Sequence, residues 1–307
     1  MIEIIKRPLK VLFLSGCKCI CKVAPYKLGP MLAKREYKTL RGHSMNLKNP
    51  KNLYEKIAWM QFHADTSLWT TCADKYRVRE YVESKGCREI LPKLYGHWNK
   101  AEDIDFGTLP NSFVLKTNNS CGQNIIVKDK RKLNITAIRK KINNWLKLEY
   151  GSHNAQFHYL RIKPCIIAEE LLIDPSLKEG ENLIDYKIWC FEGEPESILL
   201  VSDRHNGSYS CSFYDLEWNN ISEIALKKQS KHFGNKKVLR PVNLDKMLEY
   251  ARRLSMDFQE VRADFYDIDG KIYFGELTFT TGYDYFSDEY FDYLGSKIDL
   301  TKVKRIR

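Results

Sequence analysis

The segment at residues 260–278 limits the fold of this chain more than any other. Two extended stretches, VRADFY and KIYFGELTF, flank a turn rich in Asp and Gly, and this pattern predicts a β-hairpin. Extended stretches joined by turns also occur at 111–127 and 185–204, whereas helical spacing of apolar residues dominates before residue 111. Helices first and hairpins later predict an α+β fold, because a doubly wound sheet would need repeated β-α-β units. Neither of the phosphate-binding signatures GxGxxG and GxxxxGK[ST] occurs in the chain.

Capping residues predict where the helices begin and end. Asn49-Pro50 predicts a helix start, with Asn49 as the N-cap and Pro50 at the first helical position. A second helix is predicted over 73–85, ending at Gly86 because glycine readily adopts the left-handed conformation of a C-terminal cap. Further helices are predicted at 135–145 and 244–256.

Charge and cysteine content restrict the partners and the compartment. The 307 residues carry a formal net charge of +11, which favours anionic partners such as nucleotides, acidic lipids and acidic polysaccharides. The basic residues are mostly dispersed, as on a solvated surface, and we expect no nucleic-acid partner. Nine cysteines at scattered spacings indicate reduced thiols, and no run of about 18 apolar residues predicts a membrane span. We therefore expect a cytoplasmic protein, or one bound peripherally at the inner face of the membrane.

Two weaker patterns lie near the N-terminus. Leu14-Ser15-Gly16-Cys17 fits a lipid-attachment box, but the apolar run before it is shorter than a signal core requires. Cys17, Cys19 and Cys21 are spaced more tightly than zinc-binding pairs, and no matching Cys/His pair follows them. We interpret the segment as a basic arm.

The stretch FVLKTNNSCGQN has the composition of a phosphate-binding hairpin. Lys116 ends an apolar strand, and a small polar loop containing Gly122 follows it. Glycine allows the backbone to approach an anion closely, and the loop N–H groups and the lysine ammonium can face it. An ordinary hairpin with a solvent-facing lysine explains the same residues. The candidate loop residues are Asn118, Asn119, Ser120, Gly122 and Gln123.

The hairpin at 260–278 carries two acids whose relative position depends on its turn. Arg262 and Asp264 lie on one face of the first strand, because side chains alternate along a strand. A three-residue loop would place Asp264 directly opposite Glu276, whereas a two-residue turn at Asp269-Gly270 would place these acids on opposite faces. Two opposed carboxylates repel unless a cation lies between them, and Mg²⁺ prefers such oxygen ligands. The alternative is an acidic surface hairpin without a metal.

Two further candidate groups lie between these hairpins. The buried stretch IIAEELL ends in Glu169-Glu170, where backbone groups and one acid could receive an adenine, although simple surface charge explains the acids equally well. Lys187 and Arg204 lie on the hairpin at 185–204, where they could equally be ordinary charges at a strand edge.

Six stretches in this order resemble the ATP-grasp superfamily, and more narrowly its TupA-like branch of teichuronopeptide and polysaccharide biosynthesis. They run from about Asn46 to Phe286 and are NPKNLYEKIAWMQ, CADKYRVREYV, FVLKTNNSCGQN, IIAEELL, DYKIWCFEGEPE and VRADFYDIDGKIYFGELTFTTG. The resemblance implies two β-rich lobes that clamp ATP, with Mg²⁺ as the second cofactor. It further implies that Lys75 and Lys116 contact the nucleotide phosphates while the loop at 118–123 closes over them.

The resemblance also implies roles for the remaining candidates. Glu169 and the backbone of Leu171 would receive the adenine, and Asp174 the ribose. Lys187 and Arg204 would face the phosphates or the reacting carboxylate. The metal-binding residues would be Asp264, Glu276 and Thr278, although the superfamily usually has Asn where Thr278 stands.

The implied reaction is carboxylate–amine ligation through an acyl phosphate, in which Arg262 would hold the oxyanion. The expected substrates are a small-molecule or glycan carboxylate and an amine, for example a sugar acid and an amino acid, with a lipid-linked glycan at the membrane as one form of the acceptor. A kinase or glycosyltransferase-type transferase acting on a glycan, and a non-catalytic module that binds anionic polymers, are the alternatives.

The same considerations predict five segments along the chain. They are a basic N-terminal arm at 1–45, a helical region at 46–108, a small ATP-binding lobe at 109–174, a large ATP-grasp lobe with the metal-binding hairpin at 175–290, and a basic C-terminal tail at 291–307.

Overall fold

The computed structural model describes residues 15–177, 182–205, 208–234 and 238–306. The first 14 residues of the predicted N-terminal arm and the last residue of the predicted tail lie outside this part of the chain. Helices and two antiparallel sheets alternate in the described residues, in agreement with the predicted α+β class.

The N-terminal part of the chain is helical, with two differences from the predicted helix ends. The first difference is the start of the second long helix, where Asn52 and not Asn49 is the N-cap, since the Asn52 side chain accepts a hydrogen bond from the backbone of Glu55. The Asn49-Pro50 prediction was therefore wrong by three residues. The helices are α1 at 15–23, α2 Pro25–Arg41, α3 Leu53–His63, α4 Ser67–Ala73 and α5 Val78–Ser84.

The second difference is that the helix predicted over 73–85 is broken. The Asp74 carboxylate accepts hydrogen bonds from the backbone N–H groups of Tyr76 and Arg77, at 2.9 and 3.2 Å. These bonds favour a turn in place of a continuous helix, because a short acidic side chain competes for the backbone donors. The break places Lys75 between α4 and α5, and Gly86 follows the second of these helices with a positive φ of 65°, as predicted.

The smaller sheet has four antiparallel strands in the order β1-β4-β2-β3. The predicted hairpin at 111–127 forms its edge. The first strand precedes the predicted start of the small lobe at residue 109, and yet it pairs with β4. The strands are β1 Leu94–Trp98, β2 Phe113–Thr117, β3 Asn124–Val127 and β4 Ile166–Glu169.

The larger sheet has five antiparallel strands in the order β7-β6-β5-β8-β9. Two of its hairpins turn at Glu192-Gly193 and Asp269-Gly270, where both residues of each pair have positive φ values. Such two-residue turns match the right-handed twist of antiparallel strands. The strands are β5 Asp185–Phe191, β6 Glu194–His205, β7 Ser208–Tyr214, β8 Glu260–Ile268 and β9 Lys271–Thr278.

The remaining helices pack on the sheets or on other helices, and two of them begin at side-chain caps. Asn134 accepts a hydrogen bond from the backbone of Ala137 at the start of α6, and Ser287 accepts one from Tyr290 at the start of α10. The helix α9 lies against β5, β6 and β8. The helices are α6 Ile135–Leu146, α7 Phe157–Leu160, α8 Ser222–Ala225, α9 Leu244–Ser255 and α10 Asp288–Ser296.

The terminal segments are packed on the body of the protein. Leu32 and Tyr37 of α2 are buried in the main hydrophobic core, and so are Phe291 and Leu294 of α10. The buried guanidinium of Arg41 donates to the carbonyl oxygens at 283 and 286 and thereby ties α2 to the segment before α10. Within the described residues, the segments predicted as arm and tail are thus largely integral parts of the fold.

The buried His158 of α7 makes the fold sensitive to acid. Its ring lies edge-on to Trp69 and Phe279, and both ring nitrogens lack a hydrogen-bond partner among the described residues. Burial, with the nearby positive charge of Arg161, lowers the pKa of His158 to about 3. Between about pH 6.5 and pH 3 the unfolded chain binds a proton at His158 that the folded protein does not bind. The stability of the fold therefore decreases as the pH drops through this range.

When the pH falls from 7 to 5, we therefore expect the unfolding free energy of the wild type to decrease by about 2 kcal/mol more than that of His158→Phe. Urea unfolding at both pH values measures this difference. His43→Gln, which alters an exposed histidine, is the matched control and should retain the wild-type acid response. If His158→Phe and the wild type lost the same unfolding free energy on acidification, His158 would not be the source of the acid sensitivity.

Candidate active site

The β8–β9 hairpin brings the two predicted metal-binding acids together by an unexpected route. The turn has two residues, because Ile268 pairs with Lys271, and a regular ladder from such a turn would place Asp264 and Glu276 on opposite faces. A bulge shifts the register between Asp264 and the next pair, so that Asp264 lies directly opposite Glu276. The predicted opposition of the acids is found, whereas the three-residue loop that was to produce it is not.

Gly275 is the extra residue of this bulge. A Cβ atom at Gly275 would lie 2.9 Å from the backbone oxygen of Asp264, closer than side chains pack. The bulge therefore requires a residue without a side chain, and a glycine within a strand often marks such a feature.

The acid Asp264 lies at the centre of a buried cluster of charges. Arg262 binds it with two hydrogen bonds of 2.7 and 2.8 Å, and Lys187 on the neighbouring strand donates to its Oδ2 atom. The Arg262 guanidinium also lies over the ring of Trp189. Burial alone would lower the pKa of Arg262, but the Asp264 carboxylate raises it above its ordinary value. The cluster holds cations and an acid in fixed positions, as a charge-stabilising site requires.

Glu276 is the more accessible acid of the pair. Its side chain is 37% exposed, and its Oε1 atom accepts a hydrogen bond of 3.1 Å from the hydroxyl of Thr278. That hydroxyl in turn accepts one from Arg262, so Thr278 bridges the two. Partial burial opposes ionisation of Glu276, but Lys75, Lys187 and Arg262 outweigh it and lower its pKa to about 2. Glu276 is therefore charged at neutral pH and has a carboxylate oxygen within reach of a ligand.

Lys75 joins this hairpin to the predicted phosphate loop. Its Nζ atom donates to the backbone oxygen of Ser120 at 2.6 Å and lies 3.9 Å from Glu276 Oε2. Its backbone N–H donates to the carbonyl of Asn118. A lysine, a loop of the small sheet and an acid of the large sheet thus meet at one place.

The loop itself is held by its own polar side chains. The Asn118 amide bonds to the backbone of Lys163 and Cys165, which fixes the start of the loop to the segment just before β4. Ser120 and Gln123 bond to each other and to Thr117 at the end of β2. The side chains of Asn118 and Ser120 therefore shape the loop from within, while its backbone faces Lys75. Asn119 is also buried and donates to the carbonyl of Leu148, and Gly122 makes the turn with a φ of 73°.

Glu169 is bound by two cations, one of which was not predicted. Lys116 donates to its Oε2 atom at 2.7 Å, and Arg79 of α5 donates to its Oε1 atom at 3.3 Å. The prediction placed Lys116 at the phosphates and Glu169 at the adenine, whereas the two pair with each other here. Arg79 escaped prediction because no local pattern connects it with an acid 90 residues away.

The other predicted nucleotide residues lie at or beyond the end of β4. The backbone of Glu170 donates to the carbonyl of Lys93, and its carboxylate accepts from the Lys93 N–H, so this acid secures β1. Leu171 is half-buried and lies two residues after the end of the strand. Asp174 accepts two hydrogen bonds from Ser176 and closes a local turn.

Arg204 extends the cationic cluster through an acid that was not predicted as a site residue. Its guanidinium donates twice to Asp185 Oδ2, at 2.6 and 3.0 Å, and Lys187 Nζ lies 3.8 Å from the other oxygen of this acid. Burial, together with the Asp185 carboxylate, raises the pKa of Tyr266 well above its ordinary value. Asp185 therefore places Arg204 beside Lys187, and it could have been suspected from its position two residues before that lysine on the same strand face.

The residues present fit a magnesium ion only if phosphate supplies further ligands. Within the described residues no group of three or more His, Cys, Asp or Glu side chains is arranged to hold a metal. Both oxygens of Asp264 already accept hydrogen bonds from cations, and the Thr278 hydroxyl is engaged as well. Glu276 has an accessible oxygen, and Mg²⁺ is commonly held by one or two carboxylates together with nucleotide phosphates. The site fits this mode, with Glu276 as the first ligand and Asp264 beside it.

A cavity of about 350 Å³ lies beside the loop. It is lined by Gln123 of the loop, by Tyr150 and His153, and by Lys18 and Glu149, which carry opposite charges. A second cavity of about 220 Å³ shares Lys18 and Glu149. Both lie against α1, so the first described helix forms a wall beside the loop.

The family of the chain follows from a match over most of its sequence. Residues 55–299 match the family described as TupA-like ATPgrasp. The chain belongs to this family. The match confirms the resemblance and the ATP-grasp fold class that the sequence predicts. No curated protein sequence matches the chain.

Solved structures of ATP-grasp ligases resemble the chain at low sequence identity. The D-alanine–D-alanine ligase from Bacillus anthracis complexed with ATP is 15% identical, with a TM-score of 0.44, over 72% of this chain and 59% of that one. An N5-carboxyaminoimidazole ribonucleotide synthetase in its ADP complex is 13% identical, with a TM-score of 0.45, over 76% and 52%. The phosphoribosylamine–glycine ligase from Thermotoga maritima is 12% identical, with a TM-score of 0.43, over 71% and 50%. The chain thus spans between half and three fifths of the length of these three proteins.

Proposed function

We propose that this protein is an ATP-dependent, ADP-forming carboxylate–amine ligase. The observation that carries the proposal is the contact of Lys75 with both the loop at 118–123 and Glu276. This contact joins a loop suited to phosphate with a pair of acids suited to Mg²⁺, at the edge of a cationic cluster. Membership of the ATP-grasp family supports ATP and Mg²⁺ as the cofactors.

The proposed reaction has two steps. A carboxylate oxygen attacks the γ-phosphorus of ATP, ADP leaves, and an acyl phosphate forms. An amine then attacks the acyl carbon, phosphate leaves with the carbon–oxygen bond electrons, and the amine nitrogen loses a proton as the amide forms. The magnesium ion would neutralise phosphate charge during the transfer.

The residues of this chain position and stabilise charge in that scheme. The backbone of the loop and Lys75 would bind the phosphates, with Lys116 available when it exchanges Glu169 for the nucleotide. Arg262 is our candidate for the oxyanion of the acyl phosphate, and Lys187 and Arg204 for the reacting carboxylate. Their ion pairs with Asp264 and Asp185 hold these cations in place before substrate arrives, which is how preorganised charge lowers a barrier.

The substrate proposal rests on the teichuronopeptide-type resemblance and on the charge of the chain. We propose a sugar acid or another glycan carboxylate as the acyl donor and an amino acid as the amine, in surface polysaccharide biosynthesis. The net charge of +11 favours such anionic substrates, because a cationic protein attracts acidic molecules from solution.

The test is Mg²⁺-dependent ATP hydrolysis by the full chain with hydroxylamine and a panel of sugar acids and amino acids. A ligase of this kind produces ADP and a hydroxamate together, because hydroxylamine intercepts the acyl phosphate. A reaction without a carboxylate serves as the control and should give little ADP. Formation of ADP with a phosphorylated hydroxyl product and no hydroxamate would replace the ligase by a kinase.

A further inference from the structure

The N-terminal helices α1 and α2 carry one sign of charge almost exclusively. Their only acid between residues 15 and 41 is Glu36. Its carboxylate is turned inward, where it accepts a hydrogen bond from Asn154 and lies 3.6 Å from His153. The basic residues of the same stretch are Lys18, Lys22, Lys27, Lys34, Arg35, Lys38 and Arg41.

The helix α2 divides these residues between two faces. At 3.6 residues per turn, one arc of about 120° contains its exposed lysines together with two large apolar side chains. The opposite arc is buried against the body of the protein through Leu32, Ala33 and Tyr37. Packing therefore fixes which arc faces outward. The outer arc, with the last residue of α1, forms what we call the basic-apolar face: Val23, Lys27, Leu28, Met31, Lys34 and Lys38.

The apolar side chains of this face are unusually open to water. Leu28 is 41% exposed, Met31 56% and Val23 78%. Burial of such side chains against the acyl region of a bilayer is favourable, and lysines beside them attract acidic headgroups. Interfacial helices combine these two properties on one exposed surface.

We propose that the basic-apolar face docks on the surface of an anionic lipid bilayer. The complementary charge selects this occupant, because three lysines without a neighbouring exposed acid on the face match acidic headgroups. A soluble polyanion would contact the lysines but leave Leu28 and Met31 in water. None of the helices in the described part of the chain combines the length and apolar character that a bilayer-spanning segment requires. The proposed attachment is peripheral and does not depend on the ligase chemistry.

The test is co-sedimentation of the full chain with vesicles. We expect binding to vesicles of phosphatidylcholine with roughly 30–40% phosphatidylglycerol, because this composition gives a strong negative surface potential. We expect little binding to vesicles of phosphatidylcholine alone. The triple variant Lys27→Gln, Lys34→Gln, Lys38→Gln should bind about 100-fold more weakly, since each lysine near such a surface contributes about fivefold. Leu28→Ser with Met31→Ser should weaken binding about tenfold or more, because less apolar area is buried.

Two matched controls come from other surfaces of the chain. The charge control is Lys128→Gln, Lys132→Gln, Lys140→Gln, which removes three exposed lysines near α6. The apolar control is Leu239→Ser with Val242→Ser, whose wild-type side chains are 91% and 93% exposed. Both controls should bind anionic vesicles like the wild type.

The other outcomes would overturn the proposal. Equal weakening by the charge control would assign binding to net charge, and unchanged binding of the Leu28/Met31 variant would assign it to a polyanion-like contact. Equal binding to both vesicle types would remove the role of charge. Circular dichroism and ATP hydrolysis, measured on every variant, separate loss of docking from loss of folding or catalysis.

Discussion

Glu276→Gln is expected to lower Mg²⁺-dependent ATP turnover by about 10³-fold, or ~4 kcal/mol of transition-state stabilisation. The substitution preserves the size of the side chain but removes its negative charge. In the acid pair, both oxygens of Asp264 accept hydrogen bonds from cations, whereas Glu276 accepts one from Thr278 on Oε1. The substitution also leaves Lys75, Lys187 and Arg262 without a carboxylate whose pKa these three cations together lower to about 2. Steady-state ADP release over a range of Mg²⁺ concentrations measures the effect.

The response to magnesium distinguishes the role of Glu276 from a structural one. If Glu276 helps to hold the ion, the variant requires a higher Mg²⁺ concentration for half-maximal turnover. Its unfolding free energy, measured alongside, should fall because Lys75, Lys187 and Arg262 lose a carboxylate partner, but a loss of stability alone would not change the Mg²⁺ requirement. Glu223→Gln alters an exposed acid on α8 and should leave both quantities unchanged. Full turnover of Glu276→Gln at the wild-type Mg²⁺ requirement would refute the metal assignment.

The sequence predicted the hairpins well because their turns and alternation are local. The Glu192-Gly193 and Asp269-Gly270 turns lie within the stretches assigned to them, and glycine following an acid is a strong local signal. The helix predicted over 73–85 was wrong for an equally local reason. Asp74 favours a turn through its side chain, and the apolar spacing on either side of it conceals this competition.

The contacts of the candidate site could be predicted only in part, because most of them join distant segments. The pairing of Lys116 with Glu169 depends on how β2 and β4 align, and no spacing within the chain encodes that register. Lys75 reaches Glu276 only because the break after α4 turns it toward the hairpin. The residue types of the site could be read from the sequence, but which charge binds which could not.

Within the hairpin, the position of Glu276 depends on Gly275, a residue with no charge to suggest a role. Compared with the predicted three-residue loop, the two-residue turn shifts the register of the strands by one residue. The bulge shifts it back by one residue, and Asp264 therefore lies opposite Glu276. A residue with a side chain at 275 would push against the Asp264 carbonyl and either displace the bulge or move the strand.

We therefore expect Gly275→Ala to lower turnover by about 10²-fold, because a displacement near 1 Å of a catalytic constellation has effects of this size. Its stability should fall by about 1–3 kcal/mol from the overlap. Gly270→Ala is the matched control, since its left-handed φ of 75° costs ~1 kcal/mol for alanine while its Cβ would meet open space. Urea unfolding and ADP release on both variants test the argument. If both variants lost similar stability but only Gly275→Ala lost turnover, the bulge would be shown to position Glu276. Equal turnover of the two variants would show that the hairpin tolerates a different register.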